Sequence, residues 1–263
     1  HSHPYDPFRH DEYYKFLAYY NNTRDEDVPG EFPWLRQFPD SMQSELDKLV
    51  SWVKNAGDEK DAARVKHFLR TYQPAHNSTW SDSIVRGTIY GNNADLGLMK
   101  GGSGRIGKID LQESNQLILH YYTSRTGGTV NFRLDSRKGP VFATSAITPS
   151  QKGPFKAISF PAQSGVHDVY IEYLNPTITG NSEEFAFSFD WIAFTKEFPG
   201  KGRPGYEEQF KRYWSLLTTN VTNTPVMVEN TAEVHRTTQV FERGNWRTKG
   251  KKVEPGVPQS LGF

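Results

Sequence analysis

The chain has 263 residues, enough for one large or two ordinary domains. Its 31 basic and 30 acidic residues nearly cancel, which argues against a nucleic-acid binder, and no apolar run is long enough to span a membrane. Without cysteine there is no disulfide, thiolate metal site or cysteine nucleophile, whereas an aromatic content of 14% exceeds simple core filling and suits flat-faced ligands.

The chain opens at His1-Ser2-His3-Pro4-Tyr5-Asp6-Pro7 and closes on a Pro/Gly-rich segment, and both ends read as the edges of a piece of a larger protein. His10-Asp11-Glu12 starts a run through Tyr13, Tyr14, Leu17 and Tyr20 with helical spacing, and its early acids suit the helix dipole. Pro29, Pro33 and Pro39 mark a loop. Asp40 or Ser41 then caps a second helix with an apolar stripe of Leu46, Leu49, Val50 and Val53, ended by Gly57. Residues 58–66 are densely charged and are predicted to form a solvated connection.

From about residue 68 the period changes to two. Leu117, Leu119 and Tyr121 alternate with polar neighbours, as do Val130, Phe132 and Leu134, and then Val169, Ile171 and Tyr173. Turn signals at Gly91-Asn92-Asn93, Gly101-Gly102-Ser103-Gly104, Thr126-Gly127-Gly128, Lys138-Gly139-Pro140 and Lys152-Gly153-Pro154 separate the strands. Many short strands with no crossover helix predict an antiparallel sandwich. A last strand is expected to place Phe185, Phe187, Phe189 and Trp191 on one face, with Ile192 and Phe194 on the other. Cover on both faces would make it a central strand. Pro199-Gly200-Lys201-Gly202 is a boundary, followed by a helix from about Tyr206 to Leu217 bearing Phe210, Tyr213 and Trp214. The apolar stripes of the two flanks are expected to pack together, because neither can be satisfied by an isolated helix. The irregular tail from Thr218 is expected to pack on the N-terminal flank or on sequence outside this chain.

Two resemblances follow from particular strings. His1-Ser2-His3-Pro4-Tyr5-Asp6-Pro7 with Tyr13-Tyr14-Lys15-Phe16-Leu17-Ala18-Tyr19-Tyr20 resembles the end of a domain of unknown function in planctomycete-type secreted cytochrome proteins. Arg236-Thr237-Thr238-Gln239-Val240-Phe241-Glu242-Arg243-Gly244-Asn245-Trp246 and Lys249 through Pro258 resemble the start of that family's second such domain. The resemblance implies an exported bacterial protein in which a signal peptide and a c-type haem domain precede these regions. Gly165-Val166-His167-Asp168-Val169-Tyr170-Ile171 and Phe189-Asp190-Trp191-Ile192-Ala193-Phe194 resemble the last strands of family 6 carbohydrate-binding modules. The expected fold is therefore mainly β: an antiparallel, jelly-roll, carbohydrate-binding-module-like sandwich over 67–197, between an α-helical flank over 1–66 and a helix plus irregular segment over 198–263.

The resemblances also supply site candidates. In the module family a cleft uses a Tyr, a Trp and an Asn, and those positions fall at Lys108, Phe155 and near Ser188. Only Phe155 keeps an aromatic ring there, and Lys108 would favour an anionic polysaccharide. A structural calcium of the fold would use Asp190, whereas its early Glu is replaced around Ala75-His76. His1 would occupy the histidine of a haem-attachment run, but without cysteine the chain cannot hold haem covalently. Imidazoles at His1 and His3 can still converge on a metal. Isolated His120, His167 and His235 read as structural, and Glu183-Glu184 as a solvated loop. No catalytic set emerges. Three functions are open: a non-catalytic polysaccharide-binding or targeting module, a spacer or protein-interaction domain, or part of a haem- or metal-dependent redox enzyme whose active residues lie largely elsewhere. The first has polysaccharide and the remainder of the parent chain as partners.

Overall fold

A computed structural model describes residues 8–24, 33–91, 95–150, 154–180, 182–229 and 235–261. In chain order these form α1 (His10–Asn21), β1 (Thr23–Arg24), β2 (Trp34–Gln37), α2 (Asp40–Ala56), α3 (Glu59–Thr71), β3 (Ala75–Asn77), β4 (Asp82–Tyr90) and β5 (Asp95–Asp110). There follow β6 (Gln116–Tyr122), β7 (Gly128–Leu134), β8 (Val141–Ile147), β9 (Phe155–Ser159), β10 (Val166–Leu174), β11 (Phe187–Thr195) and α4 (Tyr206–Thr218). The last strands are β12 (Thr222–Pro225), β13 (Val228–Glu229), β14 (Gln239–Phe241) and β15 (Lys249–Lys252). The chain divides into two compact units, His1–Glu26 with Val226–Phe263, and Asp27–Pro225.

In the smaller unit the tail packs on the N-terminal helix. Glu12, three residues into α1, accepts from the backbone N–H of Arg9 at 2.9 Å and of Gln259 at 3.2 Å. Gly256 N–H donates to Lys15 O at 3.1 Å, and the Tyr14 ring meets Phe241 edge-on at 5.4 Å.

The larger unit is mainly β, and all its strand pairs are antiparallel. Its main sheet runs β8-β7-β10-β5-β11-β6-β9, with β4 beside β5 and β3 beside β11. The long strand β5 belongs to both layers. Residues 96–98 pair with β11, and residues 102–110 pair with β10. One layer is therefore β4-β5-β11-β6-β9 and the other β8-β7-β10-β5-β4. The run Gly101-Gly102-Ser103-Gly104 is not a turn between strands, as its composition suggested, but the passage of β5 from one layer to the other. A Cβ on Gly102 would lie 2.3 Å from Arg86 O, so only glycine permits the backbones to approach this closely.

The alternating positions point inward as their period predicts. Leu117, Leu119, Tyr121, Val130, Phe132, Val169, Ile171 and Tyr173 are all buried in the core between the layers. β11 is central, flanked by β5 and β6. Its faces depart from simple alternation, however. Phe187, Phe189, Ile192 and Phe194 share the inter-layer core, whereas Trp191 faces outward against the helices. The cause is a bulge: the register with β6 slips between Phe189 and Trp191, so one extra residue reverses every side chain after it.

The outer face of the β11-β6-β9 region carries the helices. Leu46, Leu49 and Val53 of α2, Val65 and Phe68 of α3, and Tyr213 and Leu217 of α4 form a second core with Ile118, Trp191 and Ala193. The two helical flanks thus pack together, and Trp52 of α2 donates to Pro204 O at 3.2 Å. Helix α2 begins at Asp40 with Pro39, not a polar side chain, in the cap position. The charged stretch 58–66 is not a solvated connection but most of α3. Asp58 caps it by accepting from Asp61 N–H at 2.7 Å, and Ala62 and Val65 bury a face that the surrounding charges obscure in the sequence. The strands of the main sheet accordingly start at Ala75 rather than near residue 68.

Arg36 on β2 ties this layer together. Its guanidinium is 1% exposed and donates to Leu69 O at 2.7 Å, Leu216 O at 3.0 Å and Thr219 O at 2.7 Å. Those carbonyls lie at the C-terminal ends of α3 and α4, where main-chain acceptors are otherwise unmet and a cation suits the helix dipole.

Candidate functional site

The helices pack on part of the outer face of the β4-β5-β11-β6-β9 layer, through Ile118, Trp191 and Ala193, and beyond them the chain places two rows of side chains on that face. The first row crosses Tyr90, Gly97, Ser188 and Tyr122. Gly97 and Ser188 are register partners, as are Ser188 and Tyr122. Tyr90 reaches over Gly97 from β4 and stacks on Phe185, with ring centroids 5.0 Å apart and planes 14° apart. A Cβ on Gly97 would fall 2.6 Å from Tyr90 Cε1 and 3.1 Å from Phe185 Cδ1. The missing side chain is what lets the aromatic pair lie flat on the sheet. Phe185 remains 39% exposed.

The second row contains Asp95, Asp190, His120 and Phe155. Asp95 is the cross-strand partner of Tyr90, and Phe155 is the partner of His120. Asp190 stands in the β11 bulge. Both of its carboxylate oxygens lie 2.8 Å from His120 Nδ1, and one accepts from Trp191 N–H at 2.8 Å. The His120 ring is 4.7 Å from Phe155 and 5.3 Å from Tyr122, and it stacks on Trp191 at 5.9 Å. Trp191 in turn stacks on Tyr72 at 5.0 Å. The buried helical core thus fixes the imidazole from behind.

Electrostatics set this patch apart. Burial, with a contribution from Asp190 that outweighs the opposing pull of His120, pushes the Asp95 carboxyl up to about 6. Burial and the acidic neighbours Asp190 and Asp95 push the Tyr122 phenol up to about 12. Flat rings beside hydrogen-bonding groups of this kind can hold a ligand with an apolar face and a polar rim. Among the described residues no group of three His, Asp or Glu side chains is arranged to hold a metal ion.

The residues singled out in the sequence are dispersed. His1 and His3 lie outside the described residues. Phe155, Ser188 and Asp190 share this sheet face, although Ser188 is only 4% exposed. Lys108 lies on the C-terminal half of β5, in the other layer, where its N–H donates to Asp168 Oδ1 at 3.1 Å. It therefore does not join Phe155 and Ser188 in one cleft. Sequence reading missed Tyr90, Asp95, Gly97, Tyr122 and Phe185, and it read His120 as isolated. The available signal was period two itself: His120-Tyr121-Tyr122 and Ser188-Phe189-Asp190 each put two polar or aromatic groups on one strand face.

No protein-family model matches the sequence, and no curated protein matches it. Solved structures similar to the chain include family 6 carbohydrate-binding modules. One, from Clostridium stercorarium in complex with cellobiose, is 17% identical, with 47% of this chain and 93% of that chain covered and a TM-score of 0.39. One from Clostridium cellulolyticum, in complex with xylose, is 16% identical over 46% and 95%, with a TM-score of 0.37. A β-1,3-glucan-binding module from Bacillus halodurans is 15% identical over 46% and 94%, also with a TM-score of 0.37.

Proposed function

We propose that the larger unit binds a polysaccharide on the part of the outer face of the β4-β5-β11-β6-β9 layer that lies beyond the helices. The observation that carries this reading is the stacked Tyr90–Phe185 pair laid over Gly97, with Tyr122 in its row and Asp95, His120 and Asp190 in the next. A pyranose offers a C–H face to an aromatic ring and hydroxyls at its edge, and the two rows offer the matching surfaces. The reading is a binding role, with the ligand seated across the strands. The resemblance of the flanking strings to secreted cytochrome proteins supports an exported, cytochrome-associated parent.

The test is affinity electrophoresis and calorimetry of the chain against a panel of soluble polysaccharides, beside Tyr90→Ala and Tyr122→Ala variants whose melting is checked. At least one polysaccharide should retard the parent, and each variant should weaken binding several-fold, as the loss of about 1 kcal/mol of ring contact implies. A parent that binds none of the panel, or folded variants that bind like the parent, would sink the proposal.

A second reading has its own observation. The other half of the same face is covered by α2, α3 and α4, through Ile118, Trp191 and Ala193. That half supports a structural role, in which the sandwich serves as a platform for the helical layer.

A further inference from the structure

Resting on the binding-face reading above, we infer that the preferred ligand is a glycan bearing protonated amines, an amino sugar polymer, rather than a neutral or acidic one. The inference starts from the charges on the face. Its two carboxylates are not equivalent. Asp190 is engaged by His120 and by the Trp191 backbone. The Asp95 carboxylate has neither a hydrogen bond nor an ion pair among the described residues, although it is half-buried. The titratable groups facing it are Tyr90 from β4, Asp190 from β11, and His120 and Tyr122 from β6. Among the described residues no lysine or arginine acts on Asp95 or on Tyr122. Arg125 is paired with Glu184, and Lys108 is on the other layer.

Each ligand class meets this surface differently. An acidic sugar would bring a third carboxylate to two existing ones that have only the His120 imidazole beside them, and that imidazole already faces Asp190. A neutral sugar offers hydroxyl donors but leaves the charge of Asp95 uncompensated. An ammonium group supplies both the donor and the charge, and the negative ring faces of Tyr90, Phe185 and Tyr122 favour it further. The raised Asp95 pKa, at about 6, is what a half-buried acid beside another carboxylate shows when no cation is bound. Binding an amine should lower it.

The experiment is calorimetry at a mildly acidic pH just above that at which Asp95 ionises, where amino-sugar amines still carry their proton, with three soluble ligands: a glucosamine oligomer, its fully N-acetylated counterpart and a uronic acid oligomer. Acetylation removes the charge while keeping the sugar backbone. The parent should bind the free amine about ten-fold more tightly than the acetylated form, the size of one charge-assisted hydrogen bond at a partly exposed site. In Asp95→Asn the ratio of the two affinities should fall toward one. In the parent the ratio should also shrink as pH falls below about 6, where Asp95 takes up its proton. Equal affinities for the amine and acetylated forms, or tightest binding of the uronic acid oligomer, would overturn the inference. If those bound ligands were still lost in Tyr90→Ala, the binding face itself would stand. Binding of none of the ligands here or in the polysaccharide panel, or binding indifferent to Tyr90→Ala, would remove the face and this inference with it. A ratio unchanged in Asp95→Asn would refute the role given to Asp95.

Discussion

A single methyl group at Gly97 should separate the binding face from the fold that carries it. In Gly97→Ala the new Cβ would stand 2.6 Å from Tyr90 Cε1, 2.9 Å from Tyr90 Cδ1 and 3.1 Å from Phe185 Cδ1. Carbon atoms in ordinary contact keep about 3.5–4.0 Å, so the Tyr90 ring must lift by roughly 1 Å. All three contacts are ring atoms at the ends of side chains. The rings can therefore tilt while β5 keeps its register. Disturbing the stacked pair should cost about 0.5–1.5 kcal/mol, and replacing glycine within a strand returns roughly 0.5–1 kcal/mol of backbone entropy. The two effects nearly cancel, and the melting temperature should stay within about 2–4 °C of the parent. Binding has no such compensation, because a tilted pair no longer presents one flat surface. Polysaccharide affinity should drop about five- to ten-fold, equivalent to about 1 kcal/mol. The assay is a thermal melt beside calorimetry or affinity electrophoresis on the same preparation. A variant that melts like the parent and also binds like it would show that the Tyr90–Phe185 pair is not the binding surface. A collapse of the melting temperature would show instead that Gly97 serves packing.

Arg36→Met keeps an unbranched chain but strands the carbonyls of Leu69, Leu216 and Thr219 without their donor. It should lower stability by about 2–5 kcal/mol in urea unfolding, and an unchanged midpoint would contradict the capping role. Trp191→Ala empties a site that is 2% exposed, between Tyr72 and His120, and should cost about 3–5 kcal/mol; a variant melting within a degree or two of the parent would refute this. Asp95 contributes a pH dependence of known sign. Its folded pKa, about 6, lies above the ordinary aspartate value of 3.8, so the native state holds the proton more tightly and this group's contribution to stability falls as pH rises through that window. Asp95→Asn, which mimics the protonated form, should therefore be more stable than the parent above about pH 6, by about 1 kcal/mol once solvent screening is allowed for. Unfolding curves across the window should show the gap closing toward pH 4, and a gap that widens on acidification would reverse the assignment.

Much of the architecture is local and legible in the sequence alone. A strand sends successive side chains to opposite faces, so Leu117, Leu119 and Tyr121 declare one inward face without reference to their partners. The same holds for Val130 with Phe132 and for Val169 with Ile171. Helices α2 and α4 are likewise announced by apolar stripes at helical spacing, and the antiparallel sandwich follows from short strands with no helical crossover between them. α3 was hidden because its buried face opens with small residues, Ala62 and Val65, among charges that point to solvent. The Gly101–Gly104 run reads as a turn because glycine marks both a turn and a close crossing of backbones; only the approach of Arg86 O tells the two apart.

The candidate site was the least legible part, because it is assembled across strands far apart in sequence. Tyr90 with Asp95 is local to one hairpin, but bringing them into the same two rows as His120, Tyr122, Phe185 and Asp190 requires the strand order β4-β5-β11-β6. The bulge at Asp190 then turns that carboxylate toward His120 and sends Trp191 to the helical side, reversing the face that alternation assigns it. Lys108 and Phe155, matched by family position, come to lie on different layers because β5 changes layer between Leu98 and Gly102. Inward and outward faces are set by the geometry of a single strand, so they can be read residue by residue. Which outward residues become neighbours is set by hydrogen-bonded register between distant strands, and that is decided only when the whole sheet forms.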